Sequence, residues 1–242
     1  MKQNKLEHYI EKKVGIAINR YHMIEGGDKV LVGVSGGKDS LTLLKILSER
    51  KKWIPVDYEI KAIHVISDYD PDPENKIKVL ENFFKEIKCD YVFKEIKIKE
   101  KNKRKNLDCF WCSWNRRKAI FEFAEESGFK KIAFGHHKDD IVETILMNMF
   151  FNGEISSINP VQELFNGKLK ILRPLVLLEE KEIEEYSKMA GFKIIHSKCQ
   201  RNEDSKRMFV KKLIAKLEKE NKDIKTNILK SPTRIKEDYL GA

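Results

Sequence analysis

Little in this chain speaks for a membrane, a secretory route or a disulfide framework. No run of eighteen apolar residues occurs in its 242 residues, so no transmembrane helix is expected. The opening residues, Met1-Lys2-Gln3-Asn4-Lys5-Leu6-Glu7-His8, lack the apolar core of a signal peptide, and a cytoplasmic location is expected. No internal repeat or low-complexity segment is present. Cysteine is scarce: Cys89, Cys109, Cys112 and Cys199, of which Cys109 and Cys112 stand in a C-x-x-C pair. In a cytosolic protein this pattern points away from disulfides and toward metal or redox chemistry. A second C-x-x-C is missing, which speaks against a zinc ribbon with its paired knuckles.

What the chain does contain fits one large α/β domain or a domain with an appendage. Its 41% hydrophobic content can fill a core, and its 36% charged content makes a well-solvated surface. A net charge of +10 attracts polyanions, nucleic acid among them. A general lysine bias is the alternative source of that charge, since lysine far outnumbers arginine.

Val30, Leu31, Val32 and Val34 make an apolar run suited to a buried parallel strand. Ser35-Gly36-Gly37-Lys38-Asp39-Ser40 follows at once and opens a helical pattern with Leu41, Leu43, Leu44 and Leu47. A strand that ends in two glycines and turns into a helix offers bare N–H groups at the positive end of the helix dipole, where phosphate binds. Gly36 and Gly37 let backbone approach closely, Ser35 and Ser40 can donate hydroxyls, and Lys38 brings a cation. The kinase and ATPase P-loop is excluded, because Lys38 is followed by Asp39 rather than Ser or Thr, and the Gly33 to Gly37 spacing is one residue short.

Leu6, Tyr9, Ile10, Val14, Ala17, Ile18 and Tyr21 form a helical stripe that predicts an N-terminal helix packed on the main domain. Strands are expected over 59–66, 91–98 and 131–134, and helices over 76–88, 116–127, 139–150 and 179–190. The stretch 155–169 reads as loop with a small hairpin, and 192–195 as strand-like. Strands alternating with helices predict an α/β fold, a doubly wound parallel sheet with N- and C-terminal helical extensions. The divisions expected are 1–25 for the N-terminal helix, 26–200 for the catalytic domain and 201–242 for a basic helical tail. In such sheets ligands lie beyond the carboxyl ends of the strands, where the Ser35–Ser40 loop and Gly135-His136-His137 both fall.

Cys109, Cys112 and Cys199 can bind a metal together if the fold brings two loops into contact. A Cys₃His zinc site with His196 is one reading, and an iron–sulfur cluster with one iron lacking a protein ligand is another. A C-x-x-C redox couple is the third; both cysteines would precede a helix starting near Asn115, whose dipole lowers a thiol pKa, but this leaves Cys199 unexplained. Cys89 reads as an ordinary, partly buried residue.

Taken in order, the phosphate loop, Cys109-x-x-Cys112 with Arg116-Arg117, Gly135-His136-His137-Lys138-Asp139-Asp140-Ile141-Val142-Glu143-Thr144, Arg173-Pro174-Leu175 and Cys199 resemble the tRNA 2-thiocytidine synthetase family. These are iron–sulfur-dependent tRNA thiolases of the PP-loop ATP pyrophosphatase superfamily, with a Rossmann-like fold, and the resemblance runs from about residue 20 to residue 215. It implies ATP, Mg²⁺ and a 4Fe-4S cluster held by Cys109, Cys112 and Cys199. It implies adenylation of the C2 oxygen of a tRNA cytidine and its replacement by sulfur carried on the cluster, with AMP and pyrophosphate released. Ser35 through Ser40, Gly135 and His136 then hold the nucleotide. Lys38, Asp39, Asp139 and Asp140 serve catalysis, with Asp39 the candidate Mg²⁺ ligand. A cysteine desulfurase or free sulfide is implied as sulfur source, and a homodimer as assembly.

The family pattern often has a further cysteine near the third; here Cys199 stands alone. Paired N-terminal zinc cysteines are absent, which argues against the related 2-thiouridine synthases, although these stay as an alternative. A lysidine-type ligase of the same superfamily and a non-catalytic iron–sulfur or zinc RNA-binding module are the others. Asp139 and Asp140 would be favoured at a helix start whatever their role, and Glu143 and Thr144 read equally well as helix surface. Phe110, Trp111 and Trp114 either shield a cluster or stack on a flipped base. Arg116 and Arg117 meet tRNA phosphate or lie on a solvated face. The basic tail, from Lys206-Arg207 and Lys211-Lys212 through Lys230 and Arg234, is either a tRNA-backbone contact or a solvated helix with Phe209, Leu213, Ile214 and Leu217 turned inward.

Overall fold

The computed structural model describes residues 2–98, 109–195 and 206–239. Six strands form one sheet in the order β3-β2-β1-β4-β6-β5. These are β1 (Lys29–Gly33), β2 (Glu59–Ser67), β3 (Asp90–Ile96), β4 (Lys131–Ala133), β5 (Val161–Leu164) and β6 (Leu169–Leu172). All pair in parallel except β5, which runs antiparallel to β6 at the edge. Helices α1 (Lys2–Arg20), α2 (Lys38–Arg50), α3 (Pro73–Glu86), α4 (Cys109–Glu126), α5 (Lys138–Asn152), α6 (Glu180–Met189), α7 (Lys206–Glu220) and α8 (Ile224–Lys230), with short 3₁₀ turns at Ser231–Thr233 and Glu237–Tyr239, complete the described elements.

The period-2 alternation of a strand sorts β1 between two cores. Val30 and Val32 face a core shared with Leu43, Leu44 and Leu47 of α2, while Leu31 faces the other with Ala119, Ile120 and Ala124 of α4. The first core also takes in Ile10, Val14 and Ile18 of α1, all buried, at about 1.5–3 kcal/mol for each such side chain. The second is covered by α4 alone among the described helices. No helix of the described residues is long and apolar enough to cross a membrane.

The doubly wound α/β sheet is as predicted; several boundaries are not. β3 ends at Ile96 rather than Ile98; the small hairpin expected in 155–169 is β5 with β6, and β6 runs past that stretch to Leu172 as a full strand of the sheet. Residues 192–195 form no strand; instead the Ile195 N–H donates to the Gly36 carbonyl at 2.9 Å. α4 begins at Cys109, not near Asn115, so the C-x-x-C pair lies inside the first turn rather than ahead of the helix. On α7 the buried residues are Val210 and Ile214, and Phe209 is turned outward.

Candidate active site

Chain direction across the sheet reverses between β1 and β4: β1 leads on to β2 and β3 on one side, and β4 to β6 on the other. Such a switch point opens a crevice beyond the carboxyl ends of the two strands. The loops that follow, before α2 and α5, touch there. A side chain at Gly135 would put its Cβ within 2.9 Å of the Asp39 backbone, so only glycine lets the two loops close on each other. Gly36 is in the left-handed region at φ +89, with Ile195 packed over it.

The phosphate loop is internally braced. The Gly37 N–H donates to Ser35 Oγ at 3.2 Å, the Ser40 hydroxyl donates to the Gly37 carbonyl at 3.0 Å, and the Ser35 N–H reaches Ser40 Oγ at 3.2 Å. Gly37 is the N-cap of α2 and has no side chain to cap with, so the first-turn N–H groups stay available to an anion. Lys38 Nζ lies 3.0 Å from Glu180 and 3.6 Å from Asp39. Burial opposes its charge, but these carboxylates outweigh it and its pKa is raised. Burial likewise pushes the Asp39 carboxyl up, against the pull of His137 and Lys38. Asp39 Oδ1 is a buried oxygen without a hydrogen-bond partner, the environment a divalent cation relieves.

The β4–α5 loop supplies two histidines with different surroundings. His136 is held neutral: burial, with Arg173, Arg117 and Arg207 nearby, takes its pKa down to about 4 against the pull of Asp140. Its buried Nδ1 has no partner. The His137 N–H donates to Asp140 Oδ2 at 2.9 Å, and its Nε2 stands 3.8 Å from Asp39, between the two loops.

Asp139 and Asp140 reach the same edge but are engaged by the protein itself. Asp139 Oδ2 accepts the Glu180 N–H at 2.7 Å and Oδ1 pairs with Lys225 at 2.7 Å, while Asp140 pairs with Arg207. Glu143 is buried and bound by Arg207 Nε at 2.6 Å, so it is not helix surface. Glu180 receives Lys211 at 2.6 Å as well as Lys38. Burial would raise its pKa, yet Lys211 and Lys38 hold it down to about 2. Sequence reasoning missed Glu143, Glu180 and the inward role of Arg207, Lys211 and Lys225. Glu143 had a signal, sharing a helix face with Asp139 and Asp140 at i, i+3 and i+4; the others had none that was local.

The C-x-x-C turn is tied to the same sheet edge. Arg116, one turn beyond Cys112, bonds Asp70 at 3.1 Å and Ser67 Oγ at 3.2 Å at the end of β2, next to β1. Arg116 is therefore a structural anchor. Cys112 is a half-buried thiol in the first turn of α4. Trp111 and Trp114 stack at 5.3 Å beside it. Cys199 lies outside the described residues, as does the proposed zinc partner His196.

A glycine-rich strand–loop–helix at the switch point of a parallel sheet, closed by a second loop from β4, defines a PP-loop nucleotide-binding protein. The family model for the PP-loop domain matches residues 4–218. Over 224 residues the chain is 38% identical to the tRNA-cytidine(32) 2-sulfurtransferase of Pseudomonas putida (strain GB-1), covering 90% of this chain and 81% of that protein. It is 36% identical to the enzyme of the same name from Ralstonia pickettii (strain 12J), over 98% and 76% of the two chains. The chain belongs to the PP-loop family and, within it, to the family of the tRNA-cytidine(32) 2-sulfurtransferases. Its fold matches the U34-tRNA thiolase NcsA from Methanococcus maripaludis, solved with its 4Fe-4S cluster, with a TM-score of 0.78 at 24% identity over 95% and 78% of the chains. A more distant match is NMN synthetase from Francisella tularensis, TM-score 0.52 at 14% identity over 87% and 86%.

Proposed function

We propose that this chain is an ATP-dependent tRNA sulfurtransferase that replaces the C2 oxygen of a tRNA cytidine with sulfur. The oxygen of an amide-like carbonyl leaves poorly. Attack of that oxygen on the α-phosphorus of ATP breaks the α–β bond and expels pyrophosphate; sulfide then adds at C2 and AMP departs with the oxygen. The first-turn N–H groups of α2 and Lys38 would hold the β,γ-phosphates and offset charge on the leaving pyrophosphate. Asp39 would carry Mg²⁺, and Gly135 with neutral His136 would border the nucleotide. Asp139 and Asp140 would act chiefly by fixing the α5–α6 wall of the crevice.

Cys109, Cys112 and Cys199 would hold the 4Fe-4S cluster. Bound by three thiolates, such a cluster supplies an iron without a protein ligand, at which sulfide is delivered. The observation that carries this reading is the β1–α2 loop at the switch point of the sheet, where uncapped first-turn N–H groups lie beside Lys38 and the unpartnered Asp39 Oδ1. A cysteine desulfurase or free sulfide would supply the sulfur, and a homodimer is the proposed assembly.

The test pairs spectroscopy with nucleoside analysis. Cys199→Ala, purified anaerobically, should lose the visible iron–sulfur absorbance and form no 2-thiocytidine, yet keep its thermal shift with ATP. Normal thiolation by this variant removes the cluster from the reaction. Appearance of 2-thiouridine instead of 2-thiocytidine with the unaltered protein moves the base specificity to uridine.

A further inference from the structure

Among the described residues no helix covers β6 and β5 on the sheet face that carries α4. Between α4 and the β5–β6 hairpin runs a groove of about 940 Å³, near the upper end of the 300–1,000 Å³ or so typical of ligand sites. Its floor is Leu169 and Ile171, and Trp114, Phe121 and Phe165 line its walls. From Trp114 to Glu125 it follows α4 for roughly 17 Å.

Arg117, Lys130 and Lys168 stand around the groove, and none of the three forms an ion pair among the described residues. Two carboxylates oppose them; Glu122 is met by Lys118 at 3.6 Å, which leaves Glu125 alone. Aromatic faces with uncompensated cations are what single-stranded nucleic acid binds, bases stacking on rings and phosphates on the cations.

Two further observations point the same way. Ring contacts link one end of the groove to the active site: Trp114 stacks on Trp111, next to Cys112 in the chain, and the Arg117 guanidinium lies 5.9 Å over Phe134, whose ring meets His136 edge-on at 6.0 Å; Lys130, Lys168 and Phe165 stand at the other end, by the starts of β4 and β6. At the hairpin tip Phe165 stands 63% exposed at φ +53, a left-handed conformation that a bulky side chain adopts at a cost. Its ring meets Phe121 of α4 edge-on at 6.4 Å, which holds the hairpin tip over the groove and leaves most of the Phe165 face open to a base.

Resting on the sulfurtransferase reading, we infer that this groove is the docking surface for the unpaired anticodon-loop nucleotides of the tRNA, leading the target cytidine to the cysteines. Phe165 supplies a stacking face, and Lys130 and Lys168 hold the backbone.

The test measures binding of an unmodified tRNA transcript with cytidine at position 32, by anisotropy at fixed salt, alongside the thermal shift with ATP. Phe165→Gly should weaken tRNA binding at least fivefold, with the thermal shift with ATP intact. Lys130→Glu with Lys168→Glu, both exposed, should weaken it at least tenfold with the ATP shift intact. Variants that bind tRNA within twofold of the unaltered protein overturn the groove. So does a loss confined to self-association, seen as a fall in sedimenting mass with tRNA binding kept. Failure of the unaltered chain to bind tRNA at all removes the sulfurtransferase reading itself, and this inference with it.

Discussion

The tail helices α7–α8 and the α4 groove are both rich in cations, and three of the tail's are engaged by carboxylates where three of the groove's are not. In the tail, Arg207, Lys211 and Lys225 point inward and each meets a carboxylate within 2.9 Å: Glu143, Glu180, and Asp139 with Glu218. Around the groove, Arg117, Lys130 and Lys168 meet none among the described residues. By sequence the tail is the more RNA-like of the two, since its charges are dense and consecutive. By structure its inward cations are consumed in holding α5 and α6 against the phosphate loop. Charge density along a chain therefore says little about which charges remain for a polyanion; the carboxylates opposite them decide.

The sharpest break in this comparison is removal of a tail cation. Arg207→Met strands Glu143 in a buried position, a type of loss that costs about 3–5 kcal/mol when both partners are buried. The Arg207 side chain is 48% exposed, so about 2 kcal/mol is expected. For a domain of this size that lowers the melting temperature by about 4–8 °C. Lys168→Met at the groove should stay within about 0.5 kcal/mol of the unaltered protein. Equal losses would mean that both sets of cations serve the fold.

Salt dependence sharpens the contrast next. Each phosphate contact contributes a slope of about 0.7 for single strands when log K is plotted against log salt. Lys130→Ala with Lys168→Ala should lower the slope for tRNA by about 1.4, whereas Lys211→Ala should leave it unchanged. A slope that falls with Lys211→Ala instead puts the nucleic acid on the tail.

What could be read before folding, and what could not, follows the same division between local and distant interactions. The phosphate loop, Gly135-His136-His137 and the acidic start of α5 are short-range signals, each carried by a strand, a turn and a helix start within a dozen residues. The start of α4 was hidden because Cys109-Phe110-Trp111-Cys112 is a poor helix former; the long-range bond from Arg116 to Asp70 anchors the turn that follows. β6 was hidden by its length of four residues and its lysine at 170. Glu180 and Lys225 join the site across 41 and 86 residues from Asp139, distances no periodicity spans.

The smallest expected effect is on the acid limb of stability. The Glu180 carboxyl, which burial alone would raise, is held at about 2 by Lys211 and Lys38. A carboxyl whose folded pKa lies below its unfolded value adds stability above the usual carboxylate range, about 4.3, and that stability is lost as pH falls toward about 2. Lys211→Met leaves only Lys38 to oppose burial, so the Glu180 pKa rises and less stability is added at neutral pH. The difference between variant and unaltered protein should be constant from about pH 6 upward and shrink below about pH 4, as Glu180 takes up its proton in both. Melting temperatures recorded across that range check this. Because the carboxyl is partly exposed and keeps Lys38, the change should be smaller than that of Arg207→Met at every pH; a larger one would make Glu180, rather than Glu143, the main tie between tail and site.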